Sequence, residues 1–151
     1  MKNYTIKVKT ELETKDLAKR LAILLGANDV VTLTGDLGAG KTTFTKGIGL
    51  GLGVKRTINS PTFTIVKSYQ GKLRLHHIDA YRLEDSEEDI GFDEYFYDQG
   101  VTVVEWPQFI ESYLPEERLD IVIERLAGDE RKIILKPRGT TYEEVCKELI
   151  G

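Results

Sequence analysis

Cysteine is nearly absent: Cys146 is the single one in 151 residues. One thiol closes no internal disulfide, and no second cysteine or histidine cluster stands near it to complete a metal site, so a buried apolar role is expected. No stretch of 18 apolar residues occurs, and Met1-Lys2-Asn3-Tyr4-Thr5 lacks the apolar segment of a secretory signal. These absences exclude a spanning helix and predict a soluble, cytoplasmic chain without a membrane partner. An excess of basic charge is also missing. With a net charge of −4 the chain offers no global attraction to a phosphate backbone, which disfavours direct tRNA or DNA binding and leaves only a local basic patch open. Repeats and low-complexity tracts are absent too, and the length suits one domain, 1–151, able to bury about two-thirds of its unfolded surface.

Against this plain background one segment stands out. Gly35-Asp36-Leu37-Gly38-Ala39-Gly40-Lys41-Thr42 spells G-x-x-x-x-G-K-T, directly after the apolar run Val30-Val31-Thr32-Leu33. Glycines at 35, 38 and 40 permit the backbone angles and close approach that turn successive N–H groups inward at the start of a helix, a concave nest for phosphate. Lys41 is placed to meet the β and γ phosphates, and the Thr42 hydroxyl to ligate Mg²⁺, a hard cation that prefers oxygen. The expected ligand is therefore ATP or a related triphosphate with Mg²⁺. Gly38, Ala39, Gly40, Lys41, Thr42 and Thr43 form the expected nucleotide-contacting run.

The surrounding pattern is that of an α/β domain. Tyr4–Val8 alternates as a strand, and Leu17, Leu21, Leu24 and Leu25 recur at helical spacing after a capping box of Thr10 and Glu13, with Gly26 closing the helix. Gly47, Gly49, Gly51 and Gly53 fall in and after the second half of the helix that follows the phosphate loop, where each costs about 1 kcal/mol against alanine. They read as sites of close helix packing. Phe63–Tyr69 and Lys72–Ile78 read as two strands joined by a tight turn at Gln70-Gly71. Val101–Val104 suits a strand buried on both faces. Leu119–Glu124 and Lys132–Leu135 flank a turn at Ala127-Gly128-Asp129, and Tyr142, Val145, Cys146, Leu149 and Ile150 mark the apolar stripe of a last helix. The acidic run 84–89 is expected to be solvated. The predicted architecture is P-loop NTPase-like: a mostly parallel central sheet flanked by helices, with one antiparallel hairpin.

Such a fold needs an acid beside its phosphate loop, and two strand ends supply one. Glu105 follows Val101–Val104 and is the preferred metal carboxylate; Asp79 follows Leu75–Ile78 and serves as a second metal-side or water-orienting group. Lys41, Asp79 and Glu105 are thus the expected catalytic set. Arg82 either reaches phosphate or pairs with Asp79. Ser60-Pro61-Thr62 is either a plain turn or a loop that senses the γ-phosphate. Of His76 and His77, which alternate faces, one is expected to be buried and bonded, and Trp106 is expected in the core.

Taken together, the phosphate loop, Ser60-Pro61-Thr62-Phe63-Thr64, His77-Ile78-Asp79-Ala80-Tyr81-Arg82-Leu83 and Val104-Glu105-Trp106-Pro107 resemble, in order and spacing, the TsaE family of threonylcarbamoyladenosine-biosynthesis ATPases. The resemblance covers most of the chain. It implies a small ATPase that associates with the TsaB and TsaD proteins, meets tRNA only indirectly, and is not itself the transferase. It also implies Lys41 as the phosphate lysine, Thr42 and Glu105 as Mg²⁺ ligands, Asp79 as important for hydrolysis, and Arg131 with residues 10–14 beside the adenine.

Two other classes use the same loop. A small-molecule kinase requires an acceptor pocket and a lid, for which only Leu83–Tyr97 is available. A GTPase requires a base-reading Asn-Lys-x-Asp motif, which the sequence lacks. A purely structural nucleotide binder would need neither Asp79 nor Glu105.

Overall fold

The computed structural model describes residues 2–36, 38–58, 65–83 and 91–151, with Arg82 described in its backbone only. Seven strands form one sheet in the order β1-β7-β6-β2-β5-β4-β3: β1 Tyr4–Val8, β2 Val30–Thr34, β3 Val66–Tyr69, β4 Leu75–Asp79, β5 Val101–Glu105, β6 Arg118–Arg125 and β7 Arg131–Arg138. The four inner strands β6-β2-β5-β4 are parallel, while β1, β7 and β3 join antiparallel. The sheet is therefore mixed, and the expected mostly parallel arrangement holds only for its centre. The reason lies in the connections: β6 and β7 are joined by a tight turn in which Leu126 N–H donates to Glu130 O and Glu130 N–H to Ala127 O, which leaves no chain for a crossover.

Helices α1 Glu11–Leu24, α2 Lys41–Gly51 and α4 Thr140–Ile150 cover one face of the sheet; short α3 Phe92–Phe96 and two 3-10 segments, Ala80–Leu83 and Pro107–Tyr113, cover the other. Helix α1 begins as its capping box requires. Glu13 N–H donates to Thr10 Oγ1 at 3.1 Å, which meets one free donor of the helix start, while the Glu13 carboxylate reaches one residue past the cap to accept from Lys9 N–H at 3.0 Å. Its end differs from expectation. Leu25 is an extended C-cap, and Gly26 lies beyond it, bonded through its N–H to Asp29 Oδ2.

The glycines of α2 do set its packing. A Cβ on Gly47 would stand 2.4 Å from Lys15 O and 2.6 Å from Ala18 Cβ, and one on Gly51 would stand 2.5 Å from Ala22 Cβ. Helices α1 and α2 touch backbone to side chain, which any larger residue at 47 or 51 would prevent.

The β3–β4 hairpin is looser than predicted. Tyr69 pairs with Leu75, leaving a five-residue loop, 70–74. Lys72 N–H is taken by Leu52 O and Arg74 O by Val101 N–H, so those groups are unavailable to the ladder. Phe63 and Thr64, expected in β3, lie outside the described residues, as do Ser60-Pro61-Thr62 and the acidic run. Of the candidate lid, Leu83 and 91–97 are described, and Leu83, Phe92 and Phe96 among them are buried core. Ile150 departs from the predicted stripe of α4 and is exposed, since the helix ends there, whereas Tyr142, Val145, Cys146 and Leu149 are buried. No helix among the described residues is long and apolar enough to cross a membrane.

Candidate functional site

The parallel strands end together on one edge of the sheet, and the chemistry-bearing residues of the sequence gather there. Strand β2 runs into the glycine-rich loop, which delivers Lys41 at the first turn of α2; Asp79 and Glu105 end the adjoining strands β4 and β5 and are paired in register. In-register positions on parallel strands share a face, so the two carboxylates project to the same side.

Two loop glycines are required by geometry. A Cβ on Gly35 would lie 2.7 Å from Ile123 O on β6, so only glycine lets the loop leave β2 against its neighbour. Gly40, the N-cap of α2, has φ of 110° and ψ of 17°, a left-handed conformation that side-chain-bearing residues avoid. Glycine also brings no side chain to cap the helix, and no acidic residue lies in its first turn. This 11-residue helix therefore starts without a side-chain cap, in the positive field of its own dipole.

Lys41 is buried at 7% exposure, and its ammonium lies 3.8 Å from Glu105 Oε1 and 4.3 Å from the centroid of the Trp106 ring. Among the described residues it meets one carboxylate oxygen and one aromatic face, both weaker than a bidentate ion pair, which leaves it able to turn toward an incoming anion. Glu105 Oε2 is taken by His77 Nε2 at 2.5 Å, and His77 is fully buried. Asp79 Oδ1 accepts the Tyr81 N–H at 3.1 Å, a local turn that starts the 3-10 segment.

Other expected site residues are placed differently. Arg131 braces the loop from behind: Nε donates to Ala39 O at 2.7 Å, Nη2 to Gly38 O at 3.3 Å, and Nη1 to Gly128 O and Glu130 O. Its guanidinium is committed to carbonyls, so its nearest service is to the shape of the loop. Thr43 donates to Glu11 Oε1 at 3.2 Å on the flank facing α1. Thr10 and Thr14 belong to the start of α1, with Thr14 buried. The Arg82 side chain is outside the description.

Two features went unseen in the sequence. Both histidines are buried and bonded, where one was expected: His76 between Ser68 and Asp98, His77 against Glu105. The period-two alternation of β4 held the clue, because His77 and Asp79 share a face. Trp106 departs from its predicted core position. It takes a left-handed backbone (φ 58°, ψ 50°), half-buried, with Tyr81 5.0 Å and Phe109 6.2 Å from its ring, and it lines a cleft of ≈ 470 Å³ with Thr34, Gly35, Asp36, Lys41 and Arg125. No sequence pattern signals a tryptophan in that conformation.

Shifted ionisations lie away from this edge. Burial pushes the Cys146 thiol up to about 11, as suits its expected apolar role, and burial likewise raises the Tyr142 phenol, whose oxygen accepts Val30 N–H at 3.0 Å and donates to Asp29 Oδ1.

The family model of the threonylcarbamoyl adenosine biosynthesis protein TsaE matches residues 8–133. The chain belongs to the TsaE family. It is 57% identical over 138 residues to the tRNA threonylcarbamoyladenosine biosynthesis protein TsaE of Bacillus subtilis, covering 91% of this chain and 87% of that one. Against the protein of the same name from Treponema pallidum, identity is 47% over 112 residues, with 73% and 83% covered. The crystal structure of Bacillus subtilis YdiB superposes with a TM-score of 0.87 at 47% identity, covering 99% of this chain and 95% of that one. The architecture described above, a mixed seven-stranded sheet with helices on both faces, is thus one this family already displays.

Proposed function

We propose that this TsaE-family protein binds ATP with Mg²⁺ in the cleft at the ends of β2 and β5, hydrolyses it slowly alone, and acts in tRNA threonylcarbamoyladenosine modification as the nucleotide-gated partner of a TsaB–TsaD transferase complex. In this reading the domain is of the P-loop NTPase kind and tRNA is met only through the partner. The observation that carries it is the uncapped start of α2 beside the buried pair Lys41 and Glu105. A helix start without a side-chain cap, its dipole and the Lys41 ammonium converge on one place, and each favours a polyphosphate.

The residues present fit Mg²⁺. Among the described residues no group of three or more His, Cys, Asp or Glu is available to cage a metal, and a cation that keeps its waters and shares phosphate oxygens needs no such cage. Thr42 and Glu105 would hold the ion, which would supply charge neutralisation between the β and γ phosphates. Lys41 leaves Glu105 for the phosphates, the loop amides hold the β-phosphate, and Asp79 orients water at the strand end. Gly38, Ala39, Gly40 and Thr43 contribute main-chain donors, and Arg131 keeps the loop open. The Trp106 face, vacated by the lysine, closes one wall of the cleft.

A small-molecule kinase is the second reading. A neighbouring cleft of ≈ 460 Å³ shares Thr34, Gln108 and Val122 with the first and is where an acceptor would sit, with Lys136 beside Arg118 and Arg138, both of them paired to Asp120. Measuring inorganic phosphate release from ATP, with and without the TsaB–TsaD complex, separates these. Release that rises with the complex supports the gated ATPase; equal rates in both remove the gating, and phosphate found on an added small molecule instead of in solution favours the kinase.

A further inference from the structure

We propose that His77 is a positioning residue that decides which oxygen of Glu105 is offered to the metal–nucleotide complex. This rests on the reading just given, that Glu105 serves Mg²⁺.

The two neighbouring histidines of β4 make the case by contrast. His76 uses both ring nitrogens, Nδ1 with Ser68 Oγ at 2.7 Å and Nε2 with Asp98 Oδ2 at 2.6 Å, and its ring meets Tyr95 edge-on. That is how a histidine kept for structure is satisfied. His77 is more deeply buried, fully excluded from solvent, yet its Nδ1 has no hydrogen-bond partner among the described residues. An orphaned polar atom in the interior carries a desolvation cost that packing does not return, so an apolar residue of similar size would serve the core better. The bond His77 does make ends on Glu105, which among the described residues is the acid paired with Lys41.

The geometry gives that bond a consequence. A carboxylate only accepts, so His77 Nε2–H donates and ties up Oε2, while Oε1 faces the Lys41 ammonium at 3.8 Å. When Lys41 moves to phosphate, a single defined oxygen is left facing the cleft. Without His77, the last torsion of the glutamate, which is broad and nearly two-fold, no longer has a fixed setting. The carboxylate then samples orientations that hold neither oxygen toward the cleft, which weakens the metal ligand and leaves the lysine free to meet phosphate. Partners that orient a ligand in this way commonly change metal affinity 10- to 100-fold when removed.

The test uses Trp106 fluorescence to follow ATP binding to the full chain as Mg²⁺ is titrated, together with ATP binding in EDTA and thermal melts. His77→Leu removes the donor, and His77→Gln restores an amide N–H near the Nε2 position. The Mg²⁺ concentration at half-saturation is expected to rise about tenfold or more in His77→Leu and to stay within about threefold of the parent in His77→Gln, with metal-free ATP binding unchanged in both. If the leucine variant does not fold, His77→Asn, whose amide is too short to reach Glu105, carries the same expectation. An unchanged Mg²⁺ dependence in the non-donating variants overturns the proposal, as does an equal loss of binding with and without metal, which would mark His77 as structural. A parent protein that binds no ATP in either condition overturns the nucleotide reading itself and this inference with it.

Discussion

The two edges of the parallel sheet use polar groups in opposite ways. At the edge where β2 and β5 begin, polar groups are matched within the protein: Tyr142 OH bridges Val30 N–H and Asp29 Oδ1, Asp29 Oδ2 takes Gly26 N–H, and Asn28 Oδ1 takes Gln99 N–H. At the edge where the strands end, among the described residues, α2 starts without a side-chain cap, Lys41 has a distant carboxylate and an aromatic face, and His77 keeps an orphaned nitrogen. A closed network stabilises the fold, whereas an open one keeps free energy in reserve for a ligand. The difference lies in polar satisfaction and not in burial, since β5 is buried along its whole length.

Substitutions at the two edges should therefore separate binding from stability. The largest effect is expected for Lys41→Ala. Losing charge-assisted contacts to two phosphates, about 1.5 kcal/mol or more each, should weaken ATP binding roughly 100-fold in calorimetric titration while the melting temperature stays near that of the parent. Parent-like affinity would close the distinction between the edges. Tyr142→Phe is the mirror experiment: it strips a buried N–H of its acceptor and should lower unfolding stability by about 1–3 kcal/mol in urea, with ATP affinity untouched. Next in size, Glu105→Ala should raise the Mg²⁺ needed for half-saturation about tenfold and leave metal-free nucleotide binding alone; an unchanged titration would transfer the metal role to Asp79.

The smallest effect concerns Cys146. Its folded pKa of about 11 lies above the ordinary 9.0, so the neutral thiol contributes stability that is complete below pH 9 and is lost as pH rises toward 11, where the unfolded chain releases the proton first. Native protein at pH 8.5 should accordingly resist iodoacetamide, and Cys146→Ala should flatten the alkaline part of the stability curve. Rapid alkylation of the folded chain would contradict the buried placement.

Much of this was legible before any coordinates. Capping needs only residues three apart, so the start of α1 could be read from Thr10 and Glu13. Alternation and apolar runs located β1, β2, β5, β6 and β7 closely, and the spaced glycines announced the contact of α1 with α2. The hairpin β3–β4 was misjudged because its loop bonds to Leu52 and Val101, groups far away in the chain that no local turn rule contains. The end of α1 was misread for a similar reason: Asp29 holds Gly26 from beyond the helix.

For the site, the sequence alone determined the residue types at this edge and their order: glycines where a side chain would collide, a lysine and a threonine at a helix start, and acids at two strand ends. Those facts follow from backbone sterics and short-range spacing, which a linear chain carries within itself. The pairing of His77 with Glu105, the Trp106 ring against Lys41, and the turning of Arg131 onto the loop were decided only by tertiary structure. Each joins residues 28, 65 or 92 positions apart, and such contacts depend on strand order and on how a sheet and its helices pack, which no local pattern encodes.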